Sequence, residues 1–267
     1  IEERIEQLYD APEEHLSLDA EGRLLWEDQP LAHLVCGPDL FHPNVRLANL
    51  ALVDSHERSR LVERLIQWVR DQVTRVFPSP DMPDLSSEAR GVLYQLRQGM
   101  GCIPVGPVRA QIQALSKSER KRLSKMGIRF GVHYVYAQQL LTDEALVLRS
   151  GLWKASSGHR AQLALPDDTC TGYSDRSLIP WYKAIGYVPA GPRALRVDRY
   201  ETARAQLRKL AREGEFEASE ALKQTLDCDG EILNGVIEST GYRSLGGERF
   251  RAHRRDRKRR GRGRSSK

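Results

Sequence analysis

The first 50 residues alternate between apolar and polar side chains in short runs, which is the pattern of half-buried β-strands. The predicted strands are residues 16–18, 23–26, 31–35 and 45–47. Glu21-Gly22 supplies the first turn between them, and residues 1–10 have the apolar spacing of a short helix. We therefore predict a helix followed by a small antiparallel β-meander, which needs another element to cover its apolar face.

The next 50 residues change to the period of amphipathic helices. Residues 54–76 carry an apolar stripe that contains Leu65 and Trp68, and Pro78 ends the pattern. Residues 86–99 show a second stripe of the same kind. We interpret these two segments as a helical pair whose stripes belong to the core.

The clearest capping and strand signals follow Ser116. Ser116 and Glu119 fit a capping box, so a helix is expected to begin there, and Gly127 follows its last turn. Residues 128–136 alternate between apolar and polar side chains, which predicts one strand with Ile128 and Tyr136 on its apolar face.

A helix capped by Thr142 is expected next, and residues 155–177 then lose all periodicity, which predicts a long loop. The pattern around Gly127, a helix ending in glycine and followed by a strand, recurs at Gly186 and Gly241. Because the spacing between the three copies is irregular, it indicates a recurring packing unit and not a solenoid.

The last third of the chain has the element order of a winged helix-turn-helix, with three helices before a hairpin at Gly246-Gly247. The helices are expected at 200–212, 218–226 and 231–240. The third, in the position of a recognition helix, contains Glu231 and Glu238 and no Lys or Arg, so it suits a DNA groove poorly. The better contacts are on the wing: Arg243, Arg249 and Arg251. We expect a winged-helix-like packing module and not a sequence reader.

These patterns together predict an α+β protein that is mainly helical. Its expected parts are a short helix plus β-meander over 1–53, a helical domain with a basic helix and strand over 54–154, a loop over 155–177, a winged-helix-like helical module over 178–252, and a disordered basic tail over 253–267.

Positive charge is concentrated in this tail. The net charge is +6, yet the residues from Arg249 onward carry 11 Lys or Arg against one acid, Asp256, while the rest of the chain is slightly acidic. So dense an arginine run favours nucleic-acid affinity, with a solubilising tail as the alternative. The candidate contacts are Arg254, Arg255, Arg257, Lys258, Arg259 and Arg260.

A second basic cluster lies inside the chain, on the helix predicted after Ser116 and on the strand behind it. Its candidates are Lys117, Arg120, Lys121, Lys125, Arg129 and His133. The three lysines are four residues apart and therefore share one helix face. This favours a phosphate-binding face with aromatic edges beside it; a solvated basic helix next to a core strand is the alternative.

Two segments resemble a known family. The run KMGIRFGVHYVYAQQLL, followed by ALVLRSGLWKA, is similar to the C-terminal region of bacterial superfamily 2 helicases related to the mitochondrial degradosome RNA helicase. In those proteins a GVRFG strand is followed by a helix that ends in LLWA. The run EGRLLWEDQPLAHLVCGPDLFHP resembles the GRI-W-G-P-ARLV-G segment of the same family. The resemblance covers most of residues 16–251 through short motifs in matching order.

The resemblance implies a parent that is an ATP-dependent RNA or DNA helicase, with motor lobes in cis and with ATP and Mg²⁺ as the parent's cofactors. This chain lacks a Walker A motif, a D-E-x-H box and an arginine-finger motif, so no catalytic residue and no cofactor are expected in it. The missing initiator Met fits a fragment of such a parent. The chain alone is expected to bind strands, RNA in preference to DNA, without hydrolysing ATP.

A free-standing RNA-binding or ribosome-associated protein without a motor is the alternative. An enzyme acting on nucleic acid would need paired carboxylates, a metal cluster or a nucleophile with a base, and the sequence offers no convincing set.

The four cysteines, which form no C-x-x-C pair, are Cys36, Cys102, Cys170 and Cys228. This spacing predicts reduced thiols and no metal site, which is typical of a cytoplasmic protein. No apolar run approaches the length of a membrane span, so we expect no membrane partner.

Overall fold

The computed structural model describes residues 13–48, 55–82, 84–173 and 175–252. This part of the chain forms nine α-helices and thirteen strands in four small sheets, which confirms the predicted α+β class. No helix within it is long and apolar enough to cross a membrane. The helix predicted at 1–10 and the tail predicted at 253–267 lie outside the described residues.

The N-terminal sheet is the predicted four-stranded meander, with its strands in chain order. They are β1 (Leu16–Leu18), β2 (Arg23–Trp26), β3 (Gln29–Asp39) and β4 (His42–Leu47). Burial alternates along the two longer strands, with Ala32 and Leu34 buried in β3 and Val45 and Leu47 in β4, as the sequence pattern requires.

Two helices cover the apolar face of this meander. Helix α1 (Ser55–Val76) packs on β4, and a later helix, α5 (Asp143–Ser157), packs on β3. The α1 stripe that contains Leu65 and Trp68 is buried, as predicted. The second predicted helix, α2 (Ser87–Gln98), packs chiefly on the helix that follows it in the chain.

Residues 87–137 fold as helix, strand, helix, helix and two strands. After α2 these elements are β5 (Cys102–Pro104), α3 (Val105–Ala114), α4 (Lys117–Lys125), β6 (Ile128–Phe130) and β7 (Tyr134–Ala137). The sheet order is β5–β7–β6. This is the arrangement of a winged helix, with α4 in the position of the recognition helix and the β6–β7 hairpin as the wing. We call residues 87–137 the first winged unit.

The single strand predicted over 128–136 is wrong, because the chain reverses at residues 131–133. The Gly131 N–H donates to the Tyr134 carbonyl (2.8 Å) and closes the turn. Arg129 then lies opposite Tyr136, and Val135 and Ala137 become the buried side chains of β7. The turn therefore moves the tyrosines away from the apolar face and onto the face that carries Arg129.

The C-terminal part has the same element order, as predicted. It consists of α7 (Val197–Leu210), β11 (Glu215–Glu217), α8 (Glu220–Leu226), α9 (Gly230–Ser239), β12 (Tyr242–Ser244) and β13 (Arg249–Ala252), with sheet order β11–β13–β12. Phe216, Leu222, Leu233 and Phe250 form part of its core. We call residues 197–252 the last winged unit.

The segment between these units has a similar order with one α-helix fewer. After α5 come β8 (Cys170–Gly172), α6 (Ile179–Ala184), β9 (Tyr187–Ala190) and β10 (Arg193–Arg196), with sheet order β8–β10–β9. The predicted loop over 155–177 therefore holds the end of α5 and a strand. The glycine of each copy follows a helix at positive φ: 85° at Gly127, 90° at Gly186 and 96° at Gly241.

By its contacts the described chain divides into two compact units. One contains residues 13–167 and Ser177–Tyr187, and the other contains Asp168–Arg176 and residues 188–252. The first winged unit lies wholly in the former and the last winged unit wholly in the latter.

Candidate nucleic-acid interface

Helix α4 begins with the predicted capping box. The Ser116 Oγ accepts a hydrogen bond from the Glu119 N–H (3.2 Å), and the Glu119 carboxylate accepts from the Ser116 N–H (3.0 Å). Leu123 is the one side chain of α4 that is fully buried. The helix is therefore held at its N-terminus and along one narrow stripe, and the rest of its surface is left to charged residues.

The Glu119 carboxylate also fixes α4 to another helix. It accepts a hydrogen bond from the backbone N–H of Ser86 (3.2 Å), the residue that caps α2. Hydrogen bonds from Ser86, and then from Ser116, lower the pKa of Glu119 to about 2. One carboxylate thus connects the N-termini of α2 and α4, a contact between residues 33 positions apart that the sequence pattern did not indicate.

Lys117, Lys121 and Lys125 are exposed on α4. Within the part of the chain that the structure describes, no side chain or backbone group forms an ion pair or hydrogen bond with these three ammonium groups. The outer face of α4 therefore presents three ammonium groups to solvent.

Arg120 has a different position from its lysine neighbours. Its Nε donates to the Leu115 carbonyl (3.4 Å) and its Nη2 donates to the Ile112 carbonyl, both at the end of α3. The side chain is half-buried and satisfies backbone oxygens that the helix end leaves open. Arg120 therefore joins α3 to α4 and does not extend the exposed lysine face.

Arg129 continues the positive charge from α4 onto the wing. Its Nε donates to the Gln138 Oε1 (2.8 Å) and its Nη1 to the Ser124 carbonyl (3.3 Å), in the last turn of α4. These two bonds orient an exposed guanidinium against the last turn of α4, and its Nη2 bonds to no other described residue. Lys117, Lys121, Lys125 and Arg129 form what we call the basic edge.

His133 lies in the wing turn and is half-buried. Its carbonyl accepts from the Val105 N–H (2.7 Å), which ties the turn to the start of α3. Its neighbour Val132 is 47% exposed, one of the few large apolar side chains on the described surface. The turn is thus a short anchored tip, with an apolar side chain at its end.

The wing of the last unit has a mixed charge. Arg243, Arg249 and Arg251 are exposed, as expected, but Arg251 lies opposite Glu215 and Arg249 opposite Glu217 across the sheet. The Arg251 Nη1 is 3.6 Å from the Glu215 carboxylate. In α9, Glu231 and Glu238 are exposed. The same fold position is thus basic in the first winged unit and acidic in the last, so the first is better suited to phosphate.

The six tail candidates lie outside the described residues, so their interpretation stays a prediction.

Among the described residues, no group of three or more His, Cys, Asp or Glu side chains is placed to hold a metal ion. Burial raises the pKa of Cys170 to about 11 and that of Cys228 to about 12, so both thiols are protonated at neutral pH.

No family model, curated protein or solved structure matches this chain.

Proposed function

We propose that this chain is a nucleic-acid-binding accessory region of an ATP-dependent superfamily 2 helicase, and that the basic edge of the first winged unit holds the phosphate backbone of the strand. The observation that carries the proposal is the position of α4. Among the described helices it is the one with three exposed, unpaired lysines, it occupies the place of a recognition helix, and Arg129 continues it onto the wing.

The family resemblance supports the same segment. The run KMGIRFGVHYVYAQQLL begins in the last turn of α4 and covers β6, β7 and the helical turn Gln138–Leu141. RNA as the preferred strand, and motor lobes in cis that bind ATP and Mg²⁺, follow from this resemblance and belong to the proposal. A cytoplasmic location without a membrane partner belongs to it as well, on the separate grounds that the cysteines form no C-x-x-C pair and that the sequence has no long apolar run. The chain itself contributes binding and no ATP hydrolysis.

The test replaces Lys117, Lys121 and Lys125 together by Gln, which keeps the long side chain and a good helix propensity. Binding to a fluorescein-labelled single strand is measured by anisotropy at several salt concentrations. Each lost phosphate contact should reduce the slope of log K against log salt by about 0.7, so the triple variant should lose about 2. RNA and DNA strands of one sequence are compared in the same series.

A matched control removes the same number of positive charges from another part of the chain. Arg208, Lys209 and Arg212 are exposed in the last winged unit, and their triple Gln variant should bind with a slope closer to that of the wild type. Thermal melting of both variants shows that each is folded. Equal losses in the two variants would mean that binding depends on net charge alone and would overturn the assignment to the basic edge.

A further inference from the structure

The outer face of sheet β5–β7–β6 carries two tyrosines beside the basic edge. Tyr134 and Tyr136 are half-buried on this face, while Val135 and Ala137, the alternate residues of β7, are fully buried on the other. Cys102 and Arg129 flank Tyr136 on the neighbouring strands. The face therefore offers two aromatic side chains and a guanidinium in one small area.

The spacing of these side chains suits a nucleic-acid strand. Tyr134 and Tyr136 are two residues apart, so their Cα atoms are separated by about 6.6 Å along the strand. This is close to one nucleotide step in an extended single strand. The spacing of the two tyrosines along the strand therefore matches that of two neighbouring bases.

Arg129 connects this face to the phosphate contacts. Its guanidinium bonds to the Ser124 carbonyl in the last turn of α4, next to Lys125, and its backbone lies opposite Tyr136. A strand whose phosphates follow Lys121, Lys125 and Arg129 would thus have its bases next to β7. Arginine and tyrosine both stack on bases, and such contacts tolerate any sequence.

We propose that Tyr134 and Tyr136 form a platform on which unpaired bases stack, so that the first winged unit selects single strands over duplexes. This inference rests on the proposed function, because the basic edge supplies the phosphate contacts that bring the strand to the platform. In a duplex the base faces are already stacked on each other, and only phosphates remain for the protein to contact.

The test uses the full chain with Tyr134→Leu and Tyr136→Leu, which keep an apolar side chain but remove the ring. Three probes are compared: a single strand, a blunt duplex of the same sequence, and an abasic strand that has phosphates without bases. Loss of one stacked base should weaken single-strand binding by roughly tenfold. Binding to the duplex and the abasic strand should not change, and thermal melting shows that each variant is folded.

Two further variants separate the ring from other effects. Tyr134→Phe and Tyr136→Phe keep the ring and remove the hydroxyl group, so they should bind single strands as tightly as the wild type. Tyr94→Leu is the control, since Tyr94 is 51% exposed on α2 in the same unit but lies off the sheet. It should leave all three affinities unchanged.

The outcomes distinguish the platform from the proposed function. One outcome is that the triple lysine variant binds all three probes more weakly while the Leu variants keep the wild-type preference for single strands. In that case the platform proposal is wrong and the proposal for the basic edge is retained. If the Leu and Phe variants lose single-strand affinity equally, the hydroxyl groups act and stacking is excluded. If the wild-type chain binds none of the probes, both proposals fail.

Discussion

Gly186 lies directly against the guanidinium of Arg149, so that a Cβ at position 186 would be 2.8 Å from Nη1 and 2.9 Å from Nη2. Arg149 is completely buried, and its Nε donates to the Ala184 carbonyl (2.8 Å) and its Nη1 to the Leu140 carbonyl (2.9 Å). Burial lowers the pKa of Arg149 to about 10. The glycine thus leaves room for an arginine that satisfies two helix-end carbonyls inside the core.

We expect Gly186→Ala to destabilise the protein more than an ordinary glycine substitution at positive φ. Gly158 is the control, because its φ is 67° and no atom lies within 4 Å of an added Cβ. Gly158→Ala should cost about 1 kcal/mol from backbone strain alone, and Gly186→Ala about 3 kcal/mol, since Arg149 must also move. Urea unfolding measures both. Equal losses would show that the Arg149 contact is unimportant.

A double-variant cycle tests the same contact from the other side. Arg149→Met should cost about 3 kcal/mol, because the Leu140 and Ala184 carbonyls lose a charged donor. In the Arg149→Met background, Gly186→Ala should cost no more than Gly158→Ala, since the group it meets has been removed. Additive losses in the cycle would contradict a direct contact between the two residues.

The stability of the fold around the buried Lys154 side chain is predicted to depend on the carboxylate of Glu21. The Lys154 side chain is only 7% exposed and pairs with Glu21, which also accepts from the Leu163 N–H (2.7 Å). Glu21→Gln should cost about 3 kcal/mol, because it leaves a buried ammonium without a counter-charge. Glu21→Gln combined with Lys154→Met should recover most of this loss in urea unfolding. A double variant no more stable than Glu21→Gln alone would refute this account of the pair.

The low pKa of Glu119 predicts an acid-sensitive link between α2 and α4. The folded-state pKa, about 2, is below the ordinary value of 4.5, so this link stabilises the fold above pH 4.5 and is lost as the pH falls towards 2. Glu119→Gln should flatten the decrease in stability over this range, measured by urea unfolding at a series of pH values. Ser86→Ala, which removes the Ser86 side-chain hydrogen bond that is the largest cause of the lowered pKa, should act in the same direction. Stability profiles of the wild type and of the Glu119→Gln variant that stay parallel would contradict the link.

Removing residues 253–267 should lower nucleic-acid affinity with little change in stability. The cut follows Ala252 because that residue pairs with Tyr242 in the sheet of the last winged unit. If the full chain contacts about eight phosphates, its log K should fall against log salt with a slope near −6 on single strands, and truncation should make the slope shallower. Anisotropy and thermal melting provide the two measurements. A slope unchanged by truncation would leave the tail without a role in binding.

Local patterns in the sequence determined much of this protein. The strands of the meander, the buried stripe of α1 and the capping box at Ser116 were all predictable, because alternation and capping depend on residues only a few positions apart. The glycine pattern at Gly127, Gly186 and Gly241 also indicated the recurring module, because each copy is recognisable from neighbouring residues alone.

The positions of the candidate contacts were decided only by the tertiary structure. Arg120 and Lys125 look alike in the sequence, but Arg120 bonds to the end of α3 and Lys125 stays exposed. Such a difference depends on where a neighbouring helix ends in space. The pairing of β5 with β7 likewise joins distant residues, and it gives the basic helix α4 the position of a recognition helix.

The β6–β7 wing shows most clearly why periodicity alone could not predict the face on which each side chain lies. Alternation continues through residues 128–136 as if they formed one strand, and it places Tyr134 and Tyr136 with Ile128 on the apolar face. The turn at 131–133 shifts the alternation by one residue, so the tyrosines face outward beside Arg129. A shift of one residue moves every side chain of a strand to the opposite face, and only hydrogen bonding between the two strands determines it.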